Sequence, residues 1–492
     1  MRTLALLLAL LVPLACAATP APGAGAPGPS ADRLVFAHYF TPYPLSADNE
    51  PAAQDYYTRE YLDPGGEDGR HRAYGGLLRD RPPPIPPGAP ATWEIDNYKV
   101  EILQAQSAGI DGFTVDILST DGVYRDRLEL LVRAAAELDT GFTIALMPDG
   151  AVLDEDSSAA LVDLVGELLR YPSLHRLDDG RLLVSPFYPE RFGADWWAGW
   201  MADLADEHGV EVAFVPCFLN YRASVEEFAP ISHAVSWWGQ RSPAGSVDGT
   251  AYAADAHERG LLWMQPVSVQ DARPAQGVYD EANNSENLRL TWEQAIDGAD
   301  WVQLVTWNDY AEGTQFAPSA NSGTALLDIT AHYTEWFRTG TPPPITRDVL
   351  YVSHRVHPAG AVPTGGQTEL MELREDSSPA RDEVEVLAML TAPAEVVVEV
   401  DGRETTERQP AGVSTLDAPL APGTVRATAM RDGATVVSVD SPWTVVAEPV
   451  VQDLGYRYTA SDPPDPYGCD PGATSGPADR PVPAALPRFG RC

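Results

Sequence analysis

Trp301-Val302-Gln303-Leu304-Val305-Thr306 runs directly into Trp307-Asn308-Asp309-Tyr310-Ala311-Glu312-Gly313-Thr314-Gln315. The first part is dominated by β-branched and aromatic residues, which predicts a buried strand. Where it ends, two carboxylates appear three residues apart, flanked by rings and amides, and Gly313 lets the backbone turn. An Asp and a Glu after a strand often serve only as a solvated turn and a helix cap. Trp307 and Tyr310 are poorly suited to an ordinary turn, and the chain upstream supplies a scaffold for this strand end.

Working back from Trp301, strands and helices alternate. The spacing predicts a helix over Glu286–Asp297, a strand at Leu261–Pro266, a helix at Ala251–Arg259 and a strand at His233–Trp238. Before these come a short helix near Val225–Phe228, a strand at Val210–Phe218 and a Trp-rich helix at Ala194–His208. Further back, strands are predicted at Leu182–Phe187, Phe142–Met147, Asp111–Ile117 and Leu34–Phe40. The intervening helices are Ser157–Arg170, Tyr124–Leu138 and Glu94–Ala108, and a last helix follows at Ala325–Phe337. Eight strand–helix units predict an α/β (β/α)8 TIM barrel over 32–344. A doubly wound open sheet is the alternative, but no Gly-rich phosphate loop follows the first strand.

The barrel gives the strand ends their meaning, because active sites of this architecture lie where strands pass into βα loops. The residues expected to converge there are His38, Tyr39, Asp116, Asp149, Tyr188, Asn220, Trp237, Trp238, Gln265, Trp307, Asn308 and Tyr310, with Asp309 and Glu312 as the acidic pair. Trp237 and Trp238 cannot both face inward, since neighbours in a strand alternate faces. A long excursion, Pro42–Trp93, carries Tyr56, Tyr57, Tyr61, His71 and Tyr74, expected either to wall a sugar cleft or to pack the loop against itself. Carboxyls, amides and rings together suit binding and hydrolysis of a neutral polyol such as a glycan.

Beyond Thr339-Gly340-Thr341-Pro342-Pro343-Pro344 the pattern becomes short β-prone runs, with Asp401-Gly402 and Asp432-Gly433 as hairpin signals. These predict a small β-sandwich-like domain over 345–453, packed against the barrel, and a poorly ordered Pro/Gly/Asp-rich tail over 454–492.

The chain has 492 residues, with 71 acidic against 33 basic side chains and a net charge of −38. Such a surface repels nucleic acid and anionic membranes, and leaves a neutral polysaccharide unhindered. Arg2, the apolar Leu4–Leu14 and Ala15-Cys16-Ala17 form a signal-peptide pattern over 1–17, followed by a flexible linker over 18–31. Export is therefore expected. Leu14-Ala15-Cys16 also resembles a lipoprotein box, which would anchor the protein through Cys16, although Pro13 stands where that box usually has Leu. No integral membrane span is expected. Cys217 is expected to be a buried free thiol, and Cys469 and Cys492 to pair as a disulfide. No Cys/His cluster has ligand spacing, so no metal or cofactor is expected, and the protein is expected to act as a monomer.

Val35-Phe36-Ala37-His38-Tyr39, Trp93-Glu94 before a helix ending Ala108-Gly109-Ile110-Asp111-Gly112-Phe113, and Thr306-Trp307-Asn308-Asp309-Tyr310 together resemble glycoside hydrolase family 71, the endo-1,3-α-glucanases or mutanases. The fungal pattern continues Gly-Glu-Ser; here Ala311-Glu312-Gly313-Thr314-Gln315 instead resembles the related family 99, the endo-α-mannosidases and mannanases. The family 71 resemblance implies a (β/α)8 barrel that hydrolyses internal α-glucosidic bonds with inversion, Asp309 as general base and Glu312 as general acid. Inversion needs carboxyls about 6.5–9.5 Å apart, a distance that a three-residue spacing does not fix. An endo-α-mannanase and a non-catalytic glycan-binding surface protein remain the alternatives.

Overall fold

The structure is a computed structural model and describes residues 33–463. The signal and linker segments, Cys16 and the Cys469–Cys492 pair lie outside the described residues.

The barrel strands are β1 (Val35–Tyr39), β2 (Gly112–Ile117), β3 (Thr143–Pro148), β4 (Leu182–Val184), β5 in two pieces (Val212–Phe214 and Cys217–Phe218), β6 (Ala234–Trp237), β7 (Leu262–Ser268) and β8 (Trp301–Val305). All pair in parallel. The sheet starts and ends with the two pieces of β5. Pro216, which lacks an N–H, sits at the break. The gap is bridged by Val215 N donating to Val184 O and Cys217 N donating to Pro186 O, both at 2.9 Å, so the barrel closes.

Eight helices follow these strands among the described residues: α1 (Trp93–Ser107), α2 (Gly122–Leu138), α3 (Ser158–Leu168), α4 (Ala194–His208), α5 (Tyr221–Phe228), α6 (Gly249–Glu258), α7 (Glu286–Gly298) and α8 (Ala325–Thr339). Parallel strands covered on both faces read as continuous apolar runs, and five of five residues in both β1 and β8 are buried. Their alternation sorts them into two cores. Phe36, Ala145, Leu183, Ala213, Ala234, Met264 and Trp301 plug the barrel interior. Val35, Ala37, Tyr39, Val302 and Leu304 pack outward against the helices.

The C-terminal strands are β9 (Val349–His354), β10 (Glu383–Leu390), β11 (Ala394–Val400), β12 (Arg403–Gln409), β13 (Gly412–Pro419), β14 (Val425–Arg431), β15 (Ala434–Asp440) and β16 (Arg457–Ala460). They form two antiparallel sheets, in the orders β13-β10-β9-β16 and β12-β11-β14-β15. Leu350, Val352, Val384, Val386, Val396 and Val398 fill the space between them. The turns at Asp401-Gly402 and Asp432-Gly433 have positive φ at both residues, as two-residue hairpin turns require.

The expected boundary at 453 is corrected. Tyr456, Tyr458 and Ala460 are buried at a period of two, and β16 pairs with β9. The residue just before this strand also joins the two domains. Tyr456 N donates to Gln270 Oε1 at 2.7 Å, and Tyr456 Oη donates to Glu281 at 2.6 Å. Glu281 and Arg355, both fully buried, form an ion pair at 2.9 Å across the same seam.

Candidate active site

At the carboxyl end of β8 the chain folds into a loop closed on itself. Thr306 N donates to Thr314 O, and Thr314 N to Asp309 O. Gly313 takes φ 68° here, the left-handed conformation that lets so short a loop return. Within it, Asp309 Oδ1 accepts the amides of Ala311 and Glu312 at 3.0 and 3.2 Å. The Asp309 carboxylate is thus folded back on its own loop. Glu312 meets Arg273 Nη1 at 2.5 Å. Asn308 fixes the loop to the chain after β1: its Nδ2 donates to Phe40 O and Tyr43 O, and its Oδ1 accepts Phe40 N.

Arg273 belongs to a hairpin after β7, Asp271–Arg273 paired with Val278–Asp280. Ala272 N donates to Glu312 O at 2.7 Å, so the hairpin docks on the loop that carries the acidic pair. Arg273 also meets Asp271 at 2.6 Å. One guanidinium therefore serves Asp271 and Glu312, with Asp309 close enough to feel its charge.

Burial pushes both acids above the usual carboxylate range. For Glu312 the causes are burial and then the charge of Asp309, with Arg273 opposing; for Asp309 burial is opposed by Arg273 and the two loop amides. Arg273 itself is pulled down by burial but raised more by the charges of Glu312 and Asp271. The ion pair at 2.5 Å favours an ionised Glu312, whereas burial and Asp309 favour the proton. The second effect prevails because the guanidinium is divided among several carboxyls. The two acids titrate as a pair, and Glu312, with Oε2 buried and unpaired, is the better place for the retained proton.

Other strand ends gather around the acidic pair. His38 Nε2 lies 3.9 Å from Asp116 Oδ2, and the Trp238 ring stands edge-on to His38 at 5.0 Å. Burial, then nearby Arg241, pushes His38 down to about 3, so it is neutral. Asp116 is raised by burial and by the charges of Asp149 and Asp309; Asp149 is raised by burial to about 6. Asp149 accepts Ala151 N at 2.6 Å. Arg241 is 2% exposed and bonded through Nη1 to the carbonyls of Trp238 and Gly239.

The structure thus brings together His38, Asp116, Asp149, Trp238, Asp309 and Glu312. It turns several other expected site residues away. Tyr39 points outward, packs on Phe113 and donates to Glu101 at 3.0 Å. Trp237 packs on Tyr252, and Gln265 binds Trp263 Nε1 and Gln294. Each sits one residue from an inward position, and strand alternation sends it to the helix side. Trp307 is buried against Phe113, and Tyr310 supports the loop from behind, donating to Pro318 O. Asn308 is a clamp, as described. Asn220 is the N-cap of α5, accepting Ala223 N. Tyr188, half-buried with φ 49°, opens a short turn beyond β4.

In the long loop after β1, Tyr57 is buried and donates to Pro44 O, and Tyr56 is held by Glu67. Tyr61, His71 and Tyr74 face an open groove of about 640 Å³, joined there by Phe40, Tyr43 and Tyr124. Asp309 and Glu312 are not among its walls; Phe40 and Tyr43 stand between, tied to Asn308. Asp271, Arg273 and Arg241 were not found from sequence. Their segments lack periodicity, and the only signal was arginine in a strongly acidic chain. Among the described residues one group of metal-ligand type lies close together, Asp163, Glu207 and His208, exposed on α3 and α4 and apart from the acidic pair.

A family model described as glycosyl hydrolase family 71 matches residues 88–454. A glucan endo-1,3-alpha-glucosidase of Schizosaccharomyces pombe is 24% identical over 376 residues, spanning 71% of this chain and 87% of that protein. A mutanase of Penicillium rubens is 22% identical over 376 residues, spanning 70% and 80%. Among solved structures, the GH99 endo-alpha-mannosidase from Bacteroides thetaiotaomicron aligns with a TM-score of 0.49 at 14% identity, covering 62% of this chain and 97% of that one.

Proposed function

This chain belongs to glycosyl hydrolase family 71, and from that premise we propose that it cleaves internal α-1,3-glucosidic bonds of a neutral α-glucan with inversion. Glu312, holding its proton, donates it to the departing glycosidic oxygen. Asp309, ionised, takes a proton from the water that attacks the anomeric carbon from the opposite face. One turnover breaks one C–O bond, adds one water, and leaves Glu312 ionised and Asp309 protonated until solvent resets them.

The observation that carries this reading is the unequal surroundings of the two acids: Asp309 accepts two loop amides, and Glu312 meets Arg273. Two carboxyls in unequal environments are what an acid/base pair needs. The names of the relatives support α-glucan as the substrate. Export, with or without an anchor at Cys16, rests on the N-terminal pattern.

The test is a product profile on α-1,3-glucan, α-1,4-glucan and α-mannan, with the first-formed anomer read by NMR. Release of α-1,3-linked oligosaccharides whose new reducing end is initially β is expected. A second reading, an endo-α-mannanase, is favoured by Glu312-Gly313-Thr314-Gln315; cleavage of mannan alone would establish it instead.

A further inference from the structure

We propose that Arg374, which lies beyond the barrel in sequence, is a positioning residue for the proposed acid: it holds part of Asp271 and so fixes how much of Arg273 is left for Glu312. This deepens the hydrolase reading of the site and rests on it.

The backbone delivers Arg374 to the site. Glu372–Leu373, a two-residue strand between β9 and β10, pairs in parallel with Val278–Asp280 and makes a third strand of the hairpin that carries Arg273. Arg374 N donates to Tyr279 O at 3.1 Å and extends this pairing. Met371 and Leu454 bury themselves with Ala272 and Tyr279 of the hairpin in one small apolar cluster. Met371 is held at both its backbone groups by the Gln452 amide, at 2.7 and 3.3 Å. The C-terminal part of the chain thus places this guanidinium, and the barrel receives it.

There, Arg374 Nε stands 3.2 Å from Asp280 Oδ2, and Nη2 stands 3.6 Å from Asp271 Oδ2. The same Asp271 oxygen takes Arg273, at 2.7 Å from Nε and 2.6 Å from Nη2. Arg273 Nη1 goes on to Glu312. The contacts form an unbroken line, Arg374–Asp271–Arg273–Glu312. The Asp271 and Asp280 side chains are 1% and 5% exposed, so water is a poor substitute for either guanidinium.

The sign follows from the charges. Glu312, Asp309, Asp271 and Asp280 are four carboxyls facing three guanidiniums, Arg273, Arg241 and Arg374. Asp116 on β2 and the Tyr43 phenol face Asp309 from the other side. One retained proton balances the four carboxyls against the three guanidiniums, and it is the proton assigned above to Glu312. Without Arg374, Asp271 depends on Arg273 alone and draws it from Glu312, which then keeps its proton to higher pH. Without Asp280 the reverse holds: Arg374 is left to Asp271, Arg273 is freer for Glu312, and the proton leaves at lower pH.

The experiment is a kcat–pH profile on α-1,3-glucan with the full-length wild type, Arg374→Gln, Arg374→Lys and Asp280→Asn. Arg374→Gln is expected to move the alkaline limb up by about half a pH unit, the scale of one partly exposed charge acting through a neighbour. Arg374→Lys keeps the charge and holds the limb near the wild-type position. Asp280→Asn moves it down. A residue that only braced the hairpin would lower kcat at every pH and leave the limb in place. Arg374→Gln folded, active and with an unshifted limb therefore overturns the proposal. If Arg374→Gln does not fold, Asp280→Asn decides: a limb that stays or rises overturns it. In either case the wild type still cleaves α-glucan and the hydrolase reading stands. A wild type inert on every α-glucan would instead strike that parent reading, and this one with it.

Discussion

Arg273 Nη1 stands 2.5 Å from Glu312 Oε1 while the same guanidinium meets Asp271 at 2.6 Å. The charge that would strip Glu312 of its proton is therefore shared, and the proton stays on a buried acid beside a second acid. Removing Arg273 removes a factor that lowers both Glu312 and Asp309. In Arg273→Gln both acids move up, so the acid form of Glu312 persists to higher pH. The alkaline limb of the kcat–pH profile is expected to shift upward, with the acidic limb moving the same way. A pH profile on α-glucan checks this; an alkaline limb that moved down would refute the assignment of Glu312 as the acid.

Replacing either acid by its amide keeps shape and removes proton transfer. Asp309→Asn and Glu312→Gln are each expected to cut kcat by about 10²–10⁴, with retention on insoluble α-glucan preserved. Reducing-end release and a pull-down measure the two halves. Near-normal turnover in both variants would mean that the acid/base pair lies elsewhere.

Asn308 holds three backbone groups of the segment after β1. Asn308→Ala leaves a buried amide and two carbonyls unpaired, at about 1 kcal/mol each. We expect about 2–4 kcal/mol lower stability by denaturant unfolding, and a loss in kcat larger than any rise in KM as the Asp309 loop shifts. Unchanged stability would show that the clamp is replaced by water.

Glu101 on α1 is buried, accepts Tyr39 Oη, and is pushed up to about 8 by burial. The sign is that of an acid raised above its unfolded value of about 4.3. The folded state binds the extra proton, so stability falls as pH rises from about 4 towards 8, then levels off. Glu101→Gln still accepts from Tyr39 and cannot ionise. Its melting temperature is expected to fall less between pH 5 and 8 than that of the wild type. Parallel curves would remove Glu101 from the titration.

The buried pair Arg355–Glu281 joins the sandwich to the barrel. Arg355→Met strands a buried carboxylate and should cost about 3–5 kcal/mol, seen as a lower denaturation midpoint. A change below about 1 kcal/mol would mean that the other donors to Glu281, from Asn283, Arg381 and Tyr456, suffice without Arg355.

Periodicity made the strands and helices legible, and Ala194–His208 coincides with the observed helix α4. The buried strands were harder to read in detail. A fully buried parallel strand is apolar on both faces, so nothing in Trp237-Trp238 or His38-Tyr39 says which residue looks inward. The register did that, putting His38 and Trp238 inside and their neighbours outside. Arg273 was hidden for another reason: its partner Glu312 is brought to it by a hairpin of two three-residue strands, too short for any pattern. Tyr456, Tyr458 and Ala460 did alternate, but the Pro- and Gly-rich stretch just beyond them set the expected end of order too early.

The place of β16 has a consequence for how the protein is made. A ribosome that has finished the barrel through α8 has yet to synthesise the whole sandwich, and only then Tyr456, the phenol that reaches Glu281. Until that last strand emerges, Gln270 and Glu281 lack partners that they have in the finished fold. A nascent chain halted before Tyr456 lacks the residue that bonds both Gln270 and Glu281, and leaves this edge of the barrel without those two contacts.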